Sequence, residues 1–252
     1  MNRQRGSDGP PTSPSEYRSR LRAAGGAVLV TGTVDMAAQS TVSRWLFNAD
    51  QPGIATDSSP VQRLLVLPDA SVDPKAYLPA GVDPTDESVE IIAGPLGGQT
   101  DGGVARSATA ETDELHPDSS SSLGAQIVDE ISELARTVER TCDNLVDAAD
   151  AEASSLRIGV GSLLDLLRTY DVTTVIDFCR LIAGQMEHQT GLAHVHYPRP
   201  DLTHRTYKLA LPFDARVEIR PSDESGRPEA YWHTPHPALE PQIDWQLIDE
   251  YT

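Results

Sequence analysis

The sequence predicts an α/β fold: a mostly parallel sheet flanked by helices, with a small antiparallel C-terminal extension. Three observations predict it. Short continuous apolar runs such as Ala27-Val28-Leu29-Val30 and Leu64-Leu65-Val66-Leu67 suit strands covered on both faces. Between them lie stretches with apolar residues every three or four positions, the period of a helix with one buried face. The two kinds alternate along most of the chain, as they do when helices cross between parallel strands.

In chain order, residues 1–15 are polar and rich in Gly, Pro and Ser, and read as a disordered arm. Residues 16–24 can form a short helix. Gly25-Gly26 opens the first strand, Ala27 to Val30, which ends at Thr31-Gly32. A helix follows from about Asp35, with Val42, Trp45 and Leu46 at helical spacing. A second strand runs from Arg63 to Leu67 and stops at Pro68-Asp69. A third, Val89 to Ile92, stops at Gly94-Pro95. Residues 94–122 have almost no apolar side chains to offset the entropy of ordering, so they read as a disordered linker or insertion.

The strongest helical stripe comes next: Leu123, Ile127, Ile131, Leu134, Val138, Cys142 and Leu145, with Ser122 as N-cap. Its face suits either core packing or dimerisation, and Glu133 and Arg136 are spaced for an ion pair. Leu156 to Val160 is a strand and Ser162 to Arg168 a short helix. A further helix carries Val172, Val175, Ile176, Cys179, Ile182 and Met186 and ends near Gly191 as its C′ residue. Leu192 to Tyr197 is a strand, 201–213 is helical, and Ala215 to Ile219 alternates like an edge strand. Gly226 turns into Ala230-Tyr231-Trp232, and Ile243 to Ile248 adds a last strand. The chain therefore divides into the 1–15 arm, a first part of the domain at 16–93, the 94–122 insertion and a second part at 123–252.

Of 252 residues, 38 are acidic and 20 basic, giving net −18, and the only lysines are Lys75 and Lys208. Acidic, nearly lysine-free composition characterises proteins of haloarchaea with GC-rich genomes, where surface carboxylates keep a protein hydrated in molar salt. No basic stripe is visible, so no nucleic-acid partner is expected. No apolar run spans a membrane, and the N-terminus lacks the apolar core of a secretion signal. The expected location is the cytoplasm, with Cys142 and Cys179 as free buried thiols.

The first strand and the turn after it, Val28-Leu29-Val30-Thr31-Gly32-Thr33-Val34-Asp35, invite comparison with a phosphate-binding loop. That chemistry needs G-x-x-x-x-G-K-[ST]: backbone amides cradle phosphate, the lysine neutralises it and the hydroxyl holds Mg²⁺. Gly32 fits the first position. Ala37-Ala38, or Ala38-Gln39 in the other register, stand where Gly-Lys belongs, and Ser40 or Thr41 remains as the hydroxyl. Asp35 adds a negative charge where phosphate would sit. A later strand, Leu156-Arg157-Ile158-Gly159-Val160, leads into Gly161-Ser162, where a Mg²⁺-holding Asp-Ser pair would end a catalytic strand. Gly161 occupies the Asp position, and the next carboxylate is Asp165.

These segments, with the Phe213-Asp214 boundary between a helix and a strand, resemble KaiC-like domains of the RecA superfamily. The closer resemblance is to an uncharacterised haloarchaeal set of such domains that lacks an intact phosphate loop. It covers residues 25–93 and 122–248 and implies a RecA-like sheet. It also implies that Gly32, Asp35, Ser40, Thr41, Gly161 and Ser162 are vestigial nucleotide-site positions, with no catalytic residue, metal or cofactor.

The function expected is a non-catalytic regulatory or signalling module acting through protein contacts or self-association. The linker 94–122 and the helix from 123 are the expected interaction elements. One alternative is a nucleotide sensor that holds phosphate with Ser40, Thr41 and Arg44. Another is a metal site on His194 and His196, which share one side of a strand, with His188, His204, His233 and His236 elsewhere. Tyr231, Trp232 and Trp245 suit either a core or a partner surface. No Gly-x-Ser-x-Gly, His-Glu-x-x-His or Cys-His nucleophile pattern occurs.

Overall fold

The computed structural model describes residues 14–48, 61–69, 71–94, 126–127, 130–148, 155–187, 190–221, 227–234 and 245–248. Residues 1–13, 95–125, His188, Gly226 and His236 lie outside them, and so do the expectations for those positions. The elements are α1 (Pro14–Ala24), β1 (Gly26–Thr31), α2 (Met36–Phe47), β2 (Val61–Leu67), a 3-10 turn (Pro74–Ala76), β3 (Val89–Ala93) and β4 (Gln126–Ile127). There follow α3 (Ile131–Ala148), β5 (Ser155–Val160), α4 (Leu163–Thr169), α5 (Val172–Met186), β6 (Gly191–Tyr197), α6 (His204–Ala210), β7 (Ala215–Pro221), β8 (Pro228–His233) and β9 (Gln246–Leu247).

The strands form one nine-stranded sheet in the order β4-β3-β2-β5-β6-β1-β7-β8-β9. Every pairing from β4 to β7 is parallel, and β8 and β9 add antiparallel. This is the α/β class expected, a mostly parallel sheet with an antiparallel C-terminal extension.

Strand alternation sends side chains to two cores. Ala27 and Leu29 of β1 join residues of α3, α5 and α6 on one face. Val28 and Val30 join Val42 and Leu46 of α2, Trp232 of β8, and Tyr17 and Leu21 of α1 on the other. All six β1 residues are buried. Full burial of a Val or Leu contributes about 1.5–3 kcal/mol, which is why the run is continuously apolar.

The structure corrects four local expectations and decides one left open, the role of the α3 stripe. Helix α3 begins at Ile131, not 123, because Gln126 and Ile127 pair with Ile92 and Ala93 and cover the outer side of β3. The stripe Ile131, Leu134, Val138, Cys142 and Leu145 is buried in the core rather than left as a free dimerising face. Gly191 does not cap α5, whose C-cap is Glu187; it opens β6, where a Cβ would sit 2.0 Å from the Leu156 carbonyl oxygen. Strand β7 is interior, between β1 and β8, and its alternation reflects one half-exposed face. Glu133 and Arg136 are not an ion pair in the structure; Arg136 Nε donates to the Ser132 carbonyl at 3.2 Å.

Helix α6 is also shorter than the 201–213 expected. Thr203 caps it, accepting from the Thr206 amide, and Asp201 is drawn into a buried ion pair before it. Trp232 of the extension is buried, while Tyr231 and Trp245 are half-exposed. Trp232 meets Tyr17 edge-on at 5.5 Å, and Trp245 lies between Tyr231 and the Arg220 guanidinium. Among the described residues no helix is long and apolar enough to cross a membrane.

Candidate functional site

A cleft of about 260 Å³ opens beyond the C-terminal ends of β2, β5 and β6, beside the start of α2. Crevices at strand ends, where crossovers depart to opposite faces, are the usual ligand sites of open parallel sheets. Met36 and Gln39 of α2, Leu67, Pro68, Asp69, Tyr77, Gly161, Ser162, Asp165, Arg168 and Pro198 contribute to its lining. Of the expected site positions, Gly161 and Ser162 line this cleft; on the α2 side its lining is Met36 and Gln39, and Gly32, Asp35, Ser40 and Thr41 do not line it.

Gly32 keeps its glycine for a reason other than phosphate. Its φ is +118°, and a Cβ there would lie 1.9 Å from the Ile219 carbonyl oxygen. Its amide donates to the Arg199 carbonyl at 2.9 Å. The close approach of β7 backbone thus requires this glycine, and the amide that would face a phosphate is already bonded.

The helix N-terminus is occupied in the same way. Asp35 is the N-cap of α2, and its Oδ1 accepts from the Ala38 amide at 2.8 Å. The first turn of a helix favours an anion through its unpaired amides and dipole, and here the chain supplies its own. Ser40 and Thr41 both donate to the Ala37 carbonyl, at 2.9 and 3.0 Å. Arg44 donates to the Ala76 carbonyl at 2.5 Å and to Thr41 Oγ1 at 3.0 Å.

On the opposite wall the Gly161 amide donates to the Val66 carbonyl at 2.9 Å. Ser162 caps α4, accepting from the Leu164 amide at 3.1 Å. Asp165, one turn on, pairs with Arg168 at 2.6 Å. Burial pushes the Asp165 carboxyl up; Arg168 opposes this and Asp69 adds to it. The Ser71 hydroxyl and amide hold Asp69 below the usual carboxylate range. Burial, then the charges of Asp165 and Asp69, push the Tyr77 phenol up. The cleft is thus lined by two carboxylates and a neutral phenol. Its one base among the described lining residues is Arg168, already paired.

Sequence reading missed Asp69, Tyr77 and Arg168 as cleft residues. Asp69 carried a signal, since it lies two residues past the C-terminal end of a parallel strand, the region from which such crevices are lined. Tyr77 and Arg168 carried none.

Two further polar groups lie outside the cleft lining. His194 and His196 lie on one side of β6 and are fully buried under α2 and the 3-10 turn. His194 Nε2 shares a hydrogen bond with Ser43 Oγ at 2.8 Å, and its ring meets Phe47 edge-on. Burial depresses both imidazoles, His196 to about 3; His194 is lowered further by His196 and Arg22. The pair weighed as an alternative metal site is therefore a pair of neutral core histidines, and no further ligand joins them among the described residues. A separate group, Asp201, Glu218 and His233, has its ligand atoms within 4.8 Å of one another. Arg216 already binds both oxygens of Asp201, through Nε and, at 2.8 Å, through its terminal nitrogen. Thr31 Oγ1 donates to the same carboxylate at 2.6 Å.

A family model described as "Family of unknown function (DUF7504)" matches residues 25–219. None of the curated proteins matches the chain. Among solved structures, one similar chain is a KaiC-like protein from the hyperthermophilic archaeon Pyrococcus horikoshii OT3. It has 9% identity and a TM-score of 0.46, over 84% of this chain and 79% of that one.

Proposed function

The chain belongs to the family of unknown function DUF7504, and we propose that it is a non-catalytic, RecA/KaiC-like regulatory module that acts through protein contacts. The observation that carries this reading is the start of α2. The Asp35 carboxylate caps the helix where a phosphate would be held, and the Gly32 amide is bonded to Arg199. A triphosphate entering there would meet a carboxylate at the helix end and the Asp69 and Asp165 carboxylates across the cleft, with no lysine to neutralise it. Loss of one such electrostatic contact costs about 3 kcal/mol of transition-state stabilisation. Here the loop lysine and the strand-end aspartate are both replaced.

The nucleotide-sensor alternative draws less support, because Ser40, Thr41 and Arg44 already hydrogen-bond within the chain. The acidic composition further supports a protein that works in the cytoplasm of a halophilic archaeon. Calorimetric titration of MgATP and MgADP in molar KCl, with melting temperatures alongside, tests the reading. The expected result is no saturable heat and no thermal shift; saturable binding would overturn it.

A further inference from the structure

We infer that the outward face of α6 docks an acidic protein surface bearing apolar side chains. Five large hydrophobic residues stand exposed among the described residues, and three of them, Leu202 (78%), Tyr207 (51%) and Leu211 (74%), fall within ten positions. His204, Tyr207, Lys208 and Leu211 follow helical spacing and are all exposed, while Thr206 and Leu209 turn inward and are buried. The face therefore interleaves Tyr207 and Leu211 with His204 and the cationic Lys208, and Arg205 and Arg199 are exposed.

The face is basic within an acidic chain. The chain has 38 acidic residues in 252, yet residues 202–213 contain none and hold one of its two lysines. Two carboxylates flank the segment: Asp201 is buried and engaged by Arg216 and Thr31, and the exposed Asp214 accepts from the Ala27 amide at 2.8 Å. In a chain of net −18, an apolar patch rimmed by Arg and Lys is complementary to an acidic surface and not to a basic one.

The patch is also held rigid, so little ordering entropy opposes binding. Tyr207 lies against the Arg216 guanidinium, 5.5 Å from its ring centroid, and Arg216 is clamped by Asp201. Thr203 caps α6 just after Leu202. A fixed Tyr amid Leu and Arg has the make-up of an interface anchor.

The inference rests on the protein-contact part of the function proposed above and is independent of what the cleft binds. The test uses the full chain and fluorescent synthetic peptides read by anisotropy. The first is a helical Glu/Leu peptide with Leu every third or fourth residue. The others are its Lys/Leu counterpart and a Glu/Ser peptide. Duplex DNA and phosphatidylglycerol vesicles serve as further probes. The expected result is saturable binding of the Glu/Leu peptide alone. Arg205→Glu with Lys208→Glu should weaken it at least tenfold, as should Leu211→Ser, while Arg180→Glu, at an exposed position of α5, leaves it unchanged. All four sites are exposed, so the variants should keep the wild-type circular dichroism spectrum. No binding of the Glu/Leu peptide, equal binding by the charge-reversed variant, or preference for the Lys/Leu peptide, DNA or vesicles would overturn the inference. Repeating the titration with MgATP separates the two readings. Nucleotide binding that leaves peptide affinity unchanged would defeat the cleft reading and leave this one standing.

Discussion

Asp201 grips Arg216 with both carboxylate oxygens across the end of β1, and its side chain is 1% exposed against 14% for the arginine. The pair joins the β6–α6 connection to β7 and also receives the Thr31 hydroxyl. Removing one partner of a buried ion pair strands the other charge, at about 3–5 kcal/mol. Asp201→Ala should therefore lower unfolding free energy by about 3 kcal/mol in urea titrations. Arg216→Met combined with Asp201→Leu should recover much of that loss. If Asp201→Ala is neutral, the pair is not a stabilising clamp.

Gly32 and Gly81 both have positive φ, +118° and +85°, but only Gly32 is hemmed in. A Cβ at Gly32 would collide with the Ile219 carbonyl, and one at Gly81 meets nothing within 4 Å. Gly81→Ala should cost about 1 kcal/mol from backbone strain alone. Gly32→Ala should cost several times more, because β1 and β7 must separate. Comparable melting temperatures for the two variants would show that the Ile219 contact does not constrain the turn.

His194 and His196 give the fold a defined acid sensitivity. Their folded-state values lie below the ordinary 6.5, so the unfolded chain binds protons first as pH falls. Their contribution is complete above about pH 6.5 and is lost as pH drops toward the folded value of about 3 for His196. Each histidine can add a slope of up to about 1.4 kcal/mol per pH unit in that window. Urea midpoints measured from pH 7.5 to pH 4 should fall, and less steeply in a His196→Phe variant. An unchanged slope in that variant would remove His196 from the account.

Cys142 and Cys179 should be inert in the native protein. Both are buried, and burial pushes both thiols up to about 12. The thiolate is the reactive form, so a disulfide-exchange reagent should label neither within hours under native conditions and both in denaturant. Rapid native labelling of either would mean that α3 or α5 opens locally.

Much of the fold was legible because its signals are local. The apolar run of β1, the stripe from Ile131 to Leu145 and the helix starts near Asp35 and Ser162 each depend on residues a few positions apart. The errors arose where a distant segment competed. Ile127 fits the helical stripe, yet β3 takes it as a strand partner. Gly191 looks like a helix end, yet the Leu156 backbone needs it at the start of β6. The alternation of β7 looks like an edge strand, and β8 covers that edge.

The same division holds for the site. The sequence alone determined which residues stand at the positions compared with a phosphate loop, Gly32, Ala37-Ala38 or Ala38-Gln39 and Gly161, because identity at a position is a local fact. Only the tertiary structure decided what those positions bond to. Gly32 answers to Ile219 and Arg199, Thr31 bonds Asp201 across 170 positions, and Asp69 faces Asp165 and Tyr77 across the cleft. Such contacts follow from strand order, which places β1 between β6 and β7. Residue spacing encodes which face of an element is buried; which element covers it depends on how the whole sheet closes its core.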